Sequence, residues 1–292
     1  MLLATVLLLT ACGDEDRESD RLAVVTTSSI WGDVVAEIGG DDAEVEVLIP
    51  RNADAHDFQA TSQQAARLLE ADLVVVNGLG LEEGLQDVLD SAEGDGANVL
   101  HLAPLLDPIP FSADDRGDLD PHVWFDPQRV AVAAELIARE LDAVDDSIDW
   151  VSRARTYADE LATTEEEMRR LLSAVPDDRR KLVTNHQALG YLAERFEFEI
   201  VGVVIPGGST LSDPSSAELA ELVRTIEVEG IDVIFTETSL PSRLAEAVAE
   251  EVGREIEIVT LYTESLDDPG TTAGTLVGMM VENARRISDA LG

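Results

Sequence analysis

Short apolar, β-branched runs alternate with longer amphipathic segments along most of the chain. Runs of this kind predict buried parallel strands. The longer segments have the apolar spacing of helices that bury one face. The predicted strands are Leu22–Thr27, Val45–Leu48 and Leu73–Asn77 in the first half, then Lys181–Thr184, Glu199–Val203, Ile231–Thr236 and Glu257–Leu261 in the second. The alternation predicts two α/β lobes with mostly parallel sheets.

Three helix starts can be located from their capping residues. Thr61 is followed three residues later by a glutamine, which predicts a capping box and a helix towards Ala71. The same pattern at Ser215 predicts a helix that ends at Gly230. Asp126-Pro127 places a cap residue before a proline at the first helical position.

Residues 148–174 differ from the rest because they contain neither glycine nor proline. Their apolar positions predict one helix of roughly 40 Å, which would join the two lobes stiffly instead of flexibly. The alternative is two helices that break near Thr163-Thr164. A chain of 292 residues is long enough for two domains. The predicted division is a first lobe over 22–147, the connecting helix over 148–174 and a second lobe over 175–292.

The N-terminus has the pattern of an export signal. Met1–Ala11 is almost wholly apolar and is followed by Cys12 and a polar run. The apolar segment is too short to span a bilayer, and its small terminal residues favour a secretory signal. Leu9–Cys12 (LTAC) resembles a bacterial lipobox, which predicts lipidation of Cys12 and a signal and tether over 1–21. The alternative is a buried N-terminal element with an incidental cysteine.

Charge and cysteine content exclude several functions. The chain has 20 basic and 60 acidic residues, a formal charge of −40. Nucleic-acid binding needs a basic surface, and docking on anionic lipid needs a basic patch, so neither is expected. The single cysteine excludes a disulfide framework and a cysteine-rich metal cluster. A field this negative attracts cations.

Three of the four histidines lie in loops at the ends of predicted strands or before predicted helices. These are His56, His122 and His186, and consecutive members are 64 or more residues apart. Ligands of open α/β sheets gather at the carboxyl ends of strands, so a site built from these residues would lie between the lobes. Loop histidines are also common on surfaces, and the spacing does not decide between the two. His101 follows a short apolar run and is expected to be packed or partly exposed.

Several segments together resemble a known family. They are the His56 loop, residues 71–82 (ADLVVVNGLGLE), Pro121–Pro127 (PHVWFDP), Thr184–Tyr191 (TNHQALGY), Leu261–Leu266 (LYTESL) and Met279–Asn283 (MMVEN). In this order they resemble the solute-binding proteins of bacterial zinc and manganese ABC transporters, the class with a helical backbone between two lobes. The resemblance runs from about Leu22 to the C-terminus.

The resemblance implies a metal site between the lobes. Its histidine positions match His56, His122 and His186, and its fourth position, usually an aspartate, falls on Glu264. Glu237 is a less favoured alternative, expected to be an exposed carboxylate at a strand end. Three imidazoles and one carboxylate suit tetrahedral zinc, whereas manganese prefers more oxygen donors. The histidine at position 186 favours zinc in this family, with manganese or iron as alternatives.

The resemblance also implies the function of an importer component. The protein would capture the ion outside the cytoplasm and deliver it to a membrane permease and its ATPase, as a monomer without enzyme activity. The acidic segment Asp107–Asp120 would be a solvated loop that feeds cations to the site. Other classes are a secreted zinc hydrolase, against which the absence of an HExxH motif counts, and a surface adhesin.

Overall fold

Two parallel sheets of four strands form the core of two α/β lobes. The computed structural model describes residues 21–111 and 118–292, so Cys12 and the predicted signal and tether, except Arg21, lie outside the described residues. The first sheet has the order β2-β1-β3-β4 and the second the order β6-β5-β7-β8, with parallel pairing throughout. The strands are β1 Leu22–Thr26, β2 Ala43–Val47, β3 Leu73–Val76, β4 Val99–His101, β5 Lys181–Thr184, β6 Glu199–Val203, β7 Val233–Glu237 and β8 Glu257–Leu261. The predicted fold class is confirmed.

Helices cover the sheets and connect the lobes. They are α1 Ser29–Gly39, α2 Ser62–Glu70, α3 Gln86–Gly94, α4 Pro127–Val144, α5 Trp150–Leu172, α6 Gly190–Phe196, α7 Ser216–Glu229, α8 Arg243–Glu251 and α9 Leu276–Leu291. We call the first sheet with α1 to α4 the first lobe, and the second sheet with α6 to α9 the second lobe. In the part of the chain that is described, none of the helices combines the length and the apolar character needed to cross a bilayer.

The predicted helix starts are present. The Thr61 and Ser215 side chains each accept a hydrogen bond from the backbone of the residue three positions on, and both capping boxes are complete. Asp126 caps α4 by accepting from the Gln128 amide, with Pro127 at the first helical position. Gly230 ends α7 in the left-handed conformation, at a φ of 67° that favours glycine.

The predicted burial is wrong for the second strand. β2 lies at the edge of its sheet, and of its five residues only Ala43 is buried. Val47 leaves 37% of its surface exposed. Its apolar residues are the same type as those of the central strands, but an edge strand has a neighbour on one side only. The alternating Glu44 and Glu46 give this edge the charges that discourage pairing with another chain.

The segment between the lobes is one unbroken helix. α5 runs for 23 residues, roughly 35 Å, without the break at Thr163-Thr164 that was the alternative. Its buried face includes Tyr157, Leu161 and Met168. It packs on α4 and α1 of the first lobe and on α9 of the second. One hydrophobic core therefore continues through α5 from lobe to lobe, and a smaller cluster lies in the second lobe alone.

Candidate metal centre

The structure brings the four residues His56, His122, His186 and Glu264 together between the lobes. His56 lies in a turn after β2, and His122 directly precedes the short helix Val123–Phe125. His186 and Glu264 follow β5 and β8 at the carboxyl end of the second sheet. Parallel strands place their carboxyl ends at one edge, which is why residues so far apart in the chain meet there.

The four side chains converge through one atom each. The Oε1 atom of Glu264 lies 3.1 Å from the Nε2 atoms of His56 and His186 and 3.7 Å from that of His122. The Nε2 atoms of His122 and His186 are 3.2 Å apart. A tetrahedral zinc site with bonds of roughly 2.0–2.1 Å separates its ligand atoms by about 3.3 Å. Three of the separations given lie close to that edge length, the fourth is longer, and all four atoms lie within 4.8 Å of one another.

Two of these atoms are buried without a hydrogen-bond partner. They are Nε2 of His56 and Oε1 of Glu264, and both side chains are at most 1% exposed. A buried polar atom without a partner costs about 1–3 kcal/mol. A cation bound among the four side chains would satisfy both atoms, so this donor set fits a divalent metal.

Each histidine also has a carboxylate at its other ring nitrogen. Asp120 lies 2.7 Å from Nδ1 of His122, and Glu237 makes a short contact with Nδ1 of His186. Glu83 lies 3.4 Å from Nδ1 of His56. Hydrogen-bonded carboxylates such as Asp120 and Glu237 orient the ring and direct Nε2 towards a metal. Nδ1 of His56, in contrast, has no hydrogen-bond partner among the described residues.

These contacts correct two expectations. Glu237 is at the end of a strand but is 5% exposed, not a solvent-facing carboxylate, because it is bonded to His186 and to the Thr263 hydroxyl. Asp120 is 1% exposed and so does not belong to a solvated acidic loop. Residues 112–117 of that segment, with Asp114 and Asp115, lie outside the described residues.

The charges in the site are strongly coupled. Burial acts to raise the pKa of Glu264, but the nearby imidazoles of His122, His186 and His56 lower it well below its ordinary value. Burial likewise acts to lower the pKa of His186, yet Glu237 and Glu264 raise it well above 6.5. The pKa of His122 is also raised, since Asp120 and Glu264 outweigh its burial. Both kinds of shift favour an ionised carboxylate beside protonated imidazole in the metal-free site.

The Glu264 loop is held by the first lobe as well as by its own. The backbone N–H of Ala55 donates to the second carboxylate oxygen, Oε2, at 3.2 Å. The amide of Asn52 donates to the Ser265 hydroxyl at 2.8 Å. The Trp124 indole donates to the Thr263 carbonyl at 2.8 Å. Glu264 thus presents only Oε1 to the three histidines.

The fourth histidine lies apart from this cluster. His101 ends β4, is about one-third exposed and makes a short contact with Glu93. The expectation of a partly exposed histidine at a strand end is confirmed. Sequence reasoning did not identify the partners Asp120, Glu83 and Glu237 as such. Only Asp120, two residues before His122, offered a local signal.

Known proteins share this fold and its organisation. The structure of the periplasmic zinc-binding protein TroA from Treponema pallidum superimposes with a TM-score of 0.86, at 28% identity, over 93% of this chain and 99% of that one. Two lobes of this kind around a buried site define a class of extracytoplasmic solute-binding proteins. The chain belongs to the family described as zinc-uptake complex component A, periplasmic, which matches residues 24–290.

Two relatives illustrate the range of the family. The zinc-binding protein TroA of Treponema pallidum is 30% identical over 96% of this chain and 92% of its own length. The manganese-binding lipoprotein MntA of Bacillus subtilis is also 30% identical, over 99% of this chain and 98% of its own. Similarity to relatives does not by itself distinguish zinc from manganese.

Proposed function

We propose that this protein is the extracytoplasmic metal-binding component of an ABC importer and that zinc is its substrate. The observation that carries the proposal is the meeting of four buried donor atoms, two from each lobe, at separations that suit a tetrahedral ion. His56 and His122 come from the first lobe, His186 and Glu264 from the second. Neither lobe alone supplies enough donors to hold the ion tightly.

The oxygen atoms available around the site favour zinc over manganese. Glu264 directs Oε1 at the histidine nitrogens, whereas its Oε2 accepts the Ala55 amide. Both oxygens of Glu237 have partners, as does the Asp120 oxygen nearest His122. An ion at this position would therefore meet three nitrogens and one oxygen. Manganese prefers a harder, oxygen-rich set, so manganese and iron are the second choice.

Capture and release follow from the division of donors between lobes. Binding replaces protons on the imidazoles with the metal, since only neutral imidazole coordinates. Release to the permease requires the donors of one lobe to move away from those of the other. The α5 helix packs on both lobes, so we expect a small tilt or a loop movement instead of a wide hinge opening.

Partners and location follow the same proposal. The protein would dock on a membrane permease driven by an ATPase, as a monomer anchored through a lipid on Cys12. The lipobox-like Leu9–Cys12 supports the anchor, and relatives such as the Bacillus subtilis protein are named lipoproteins. A catalytic role is disfavoured because all four tetrahedral positions are taken by side chains, whereas catalytic zinc keeps an open position.

Competitive metal titration tests the proposal. We expect the metal-free protein to bind one zinc ion tightly and in preference to manganese. His186→Ala should weaken zinc binding by roughly 100-fold or more, since even the outer partners of metal-bound histidines contribute 10–100-fold. His101→Ala is the matched control, because His101 lies outside the cluster, and it should bind as the wild type does.

Two outcomes of the titration would contradict different parts of the proposal. Preferential binding of manganese would keep the site and overturn the choice of zinc. No tight binding of either ion would overturn the importer function.

A further inference from the structure

An aromatic ring packs against one histidine of the metal centre. Phe111 packs with its ring centroid 6.5 Å from that of His122, at an interplanar angle of 64°. The ring is 8% exposed. Its backbone is fixed by the hydrogen bond from its own amide to the Asp118 carbonyl at 3.1 Å and by the antiparallel bridge between Pro110 and Leu119. Phe111 thus belongs to the first lobe and has a defined position.

The far end of the ring lies against the second lobe. Gly208, in the segment between β6 and α7, is so close to the ring that an added Cβ would overlap with the Phe111 atoms. Any other residue at this position would force the ring or the backbone to move. The contact requires both the phenyl ring and the missing side chain of glycine, one from each lobe.

Solvent reaches this ring but not the metal-binding atoms behind it. A cavity of about 580 Å³ opens beside Phe111, Gly208, Pro121 and Glu83. The four proposed ligands do not line it, and their side chains are at most 1% exposed. Phe111 lies between the two because it lines the cavity and also contacts His122.

We propose that Phe111, packed on Gly208, closes the metal centre towards solvent and sets the rate at which the ion leaves. The inference rests on the proposed function, since it concerns exchange at the same site. Water is the incoming ligand when a metal leaves, and an apolar ring over the site keeps water from the ion. Because Gly208 belongs to the second lobe, the contact between the ring and Gly208 exists only while the lobes are together. Separation of the lobes therefore opens the site to water at the same time.

Zinc release to excess chelator tests this role in the full-length, zinc-loaded protein. Phe111→Ala removes the ring, and Gly208→Val displaces it from the opposite lobe while leaving Phe111 present. Each should raise the dissociation rate constant of zinc about three- to tenfold, the factor that the loss of one aromatic contact represents. Phe111→Leu should release zinc at an intermediate rate, because leucine keeps an apolar side chain over the site but lacks the phenyl ring that reaches Gly208.

Two neighbours serve as matched controls. Leu119 lines the same cavity and is 39% exposed, and Ser209 follows Gly208. Leu119→Ala and Ser209→Ala should release zinc at the wild-type rate. Thermal unfolding of each metal-free variant checks that it is folded. If Phe111→Ala does not fold, the release rates of Gly208→Val and Phe111→Leu test the inference.

Equal release rates for Phe111→Ala, Gly208→Val and the wild type would overturn the inference. So would an equal increase in both controls, since that would reflect general loosening of the loops. A wild-type protein that binds no zinc would instead refute the proposed function.

Discussion

The pKa values of His186 and Glu264 are shifted in opposite directions in the metal-free protein. The pKa of Glu264 lies well below its ordinary value because three histidines surround its carboxylate and outweigh the effect of burial. The pKa of His186 lies well above 6.5 because Glu237 and Glu264 outweigh burial. A proton on His186 competes with the metal for the imidazole. At the scale of the residue, metal binding is therefore coupled to the loss of a proton from His186.

We expect zinc affinity to fall as the pH is lowered, beginning above the ordinary histidine range near 6.5. The sign follows because the metal-free state binds more protons than the metal-bound state, so added protons favour release. Titration calorimetry at pH 8, in two buffers with different ionisation enthalpies, should detect protons released per zinc bound. A binding heat that is identical in both buffers would contradict the prediction. His101→Ala, outside the cluster, should release the same number of protons.

At the scale of the elements, α1 and α9 meet through a buried carboxylate. Asp33 of α1 accepts a hydrogen bond from the Leu276 amide at the start of α9, at 2.7 Å. Burial raises the pKa of Asp33 to about 6, although the Leu276 amide and Arg51 act to lower it. The contact joins a helix of the first lobe to one of the second. The ionised form of Asp33 is therefore less stable in the folded protein than in the unfolded chain.

Asp33→Asn should stabilise the metal-free protein at pH 7.5 by up to about 3 kcal/mol, the free energy that corresponds to the shift of the Asp33 pKa. The folded pKa of Asp33 exceeds the unfolded value of 3.8, so the folded state binds more protons between these values. The contribution of Asp33 to stability is then lost as the pH rises from about 4 to 6. The amide oxygen of asparagine keeps the bond from Leu276. Urea unfolding at pH 7.5 and 4.5 measures the difference, which should shrink at the lower pH.

Asp41→Asn is the control for this variant, since Asp41 is exposed beyond the end of α1. It should change the free energy of unfolding by a few tenths of a kcal/mol at most, as surface substitutions do. If Asp33→Asn is instead less stable than the wild type at pH 7.5, the charged hydrogen bond to Leu276 contributes more to the free energy of unfolding than the burial of the carboxylate costs.

At the scale of the whole molecule, the formal charge of −40 opposes compaction. The ion pairs of the described residues are mostly at the surface, where each contributes little. Screening of the repulsion should therefore outweigh the loss of these pairs when salt is added. The screening length falls from about 30 Å at 0.01 M to about 3 Å at 1 M.

The melting temperature of the metal-free protein should accordingly rise between 0.01 M and 1 M sodium chloride. Differential scanning calorimetry measures it, and a series in potassium chloride separates screening from a specific effect of sodium. A melting temperature that falls with salt would show that the surface ion pairs outweigh the net repulsion.

Much of the local structure could be predicted from the sequence. The capping boxes at Thr61 and Ser215, the start of α4 at Asp126 and the unbroken α5 follow from short-range patterns, because caps and helical periodicity involve residues within a few positions of one another. Burial of β2 could not be predicted in this way, since apolar runs look alike at the edge and in the centre of a sheet.

The sequence by itself determined which residue types were available and where the strands would end. Loop position alone did not separate the clustered histidines from surface ones, and the set that included Glu264 came from the family resemblance. Only the tertiary structure decided that Glu237 and Asp120 are buried beside two of the histidines, and that Phe111 and Gly208 meet over the site. These pairings join residues from different strands or different lobes. They depend on how the two sheets pack through α5, which no local pattern encodes.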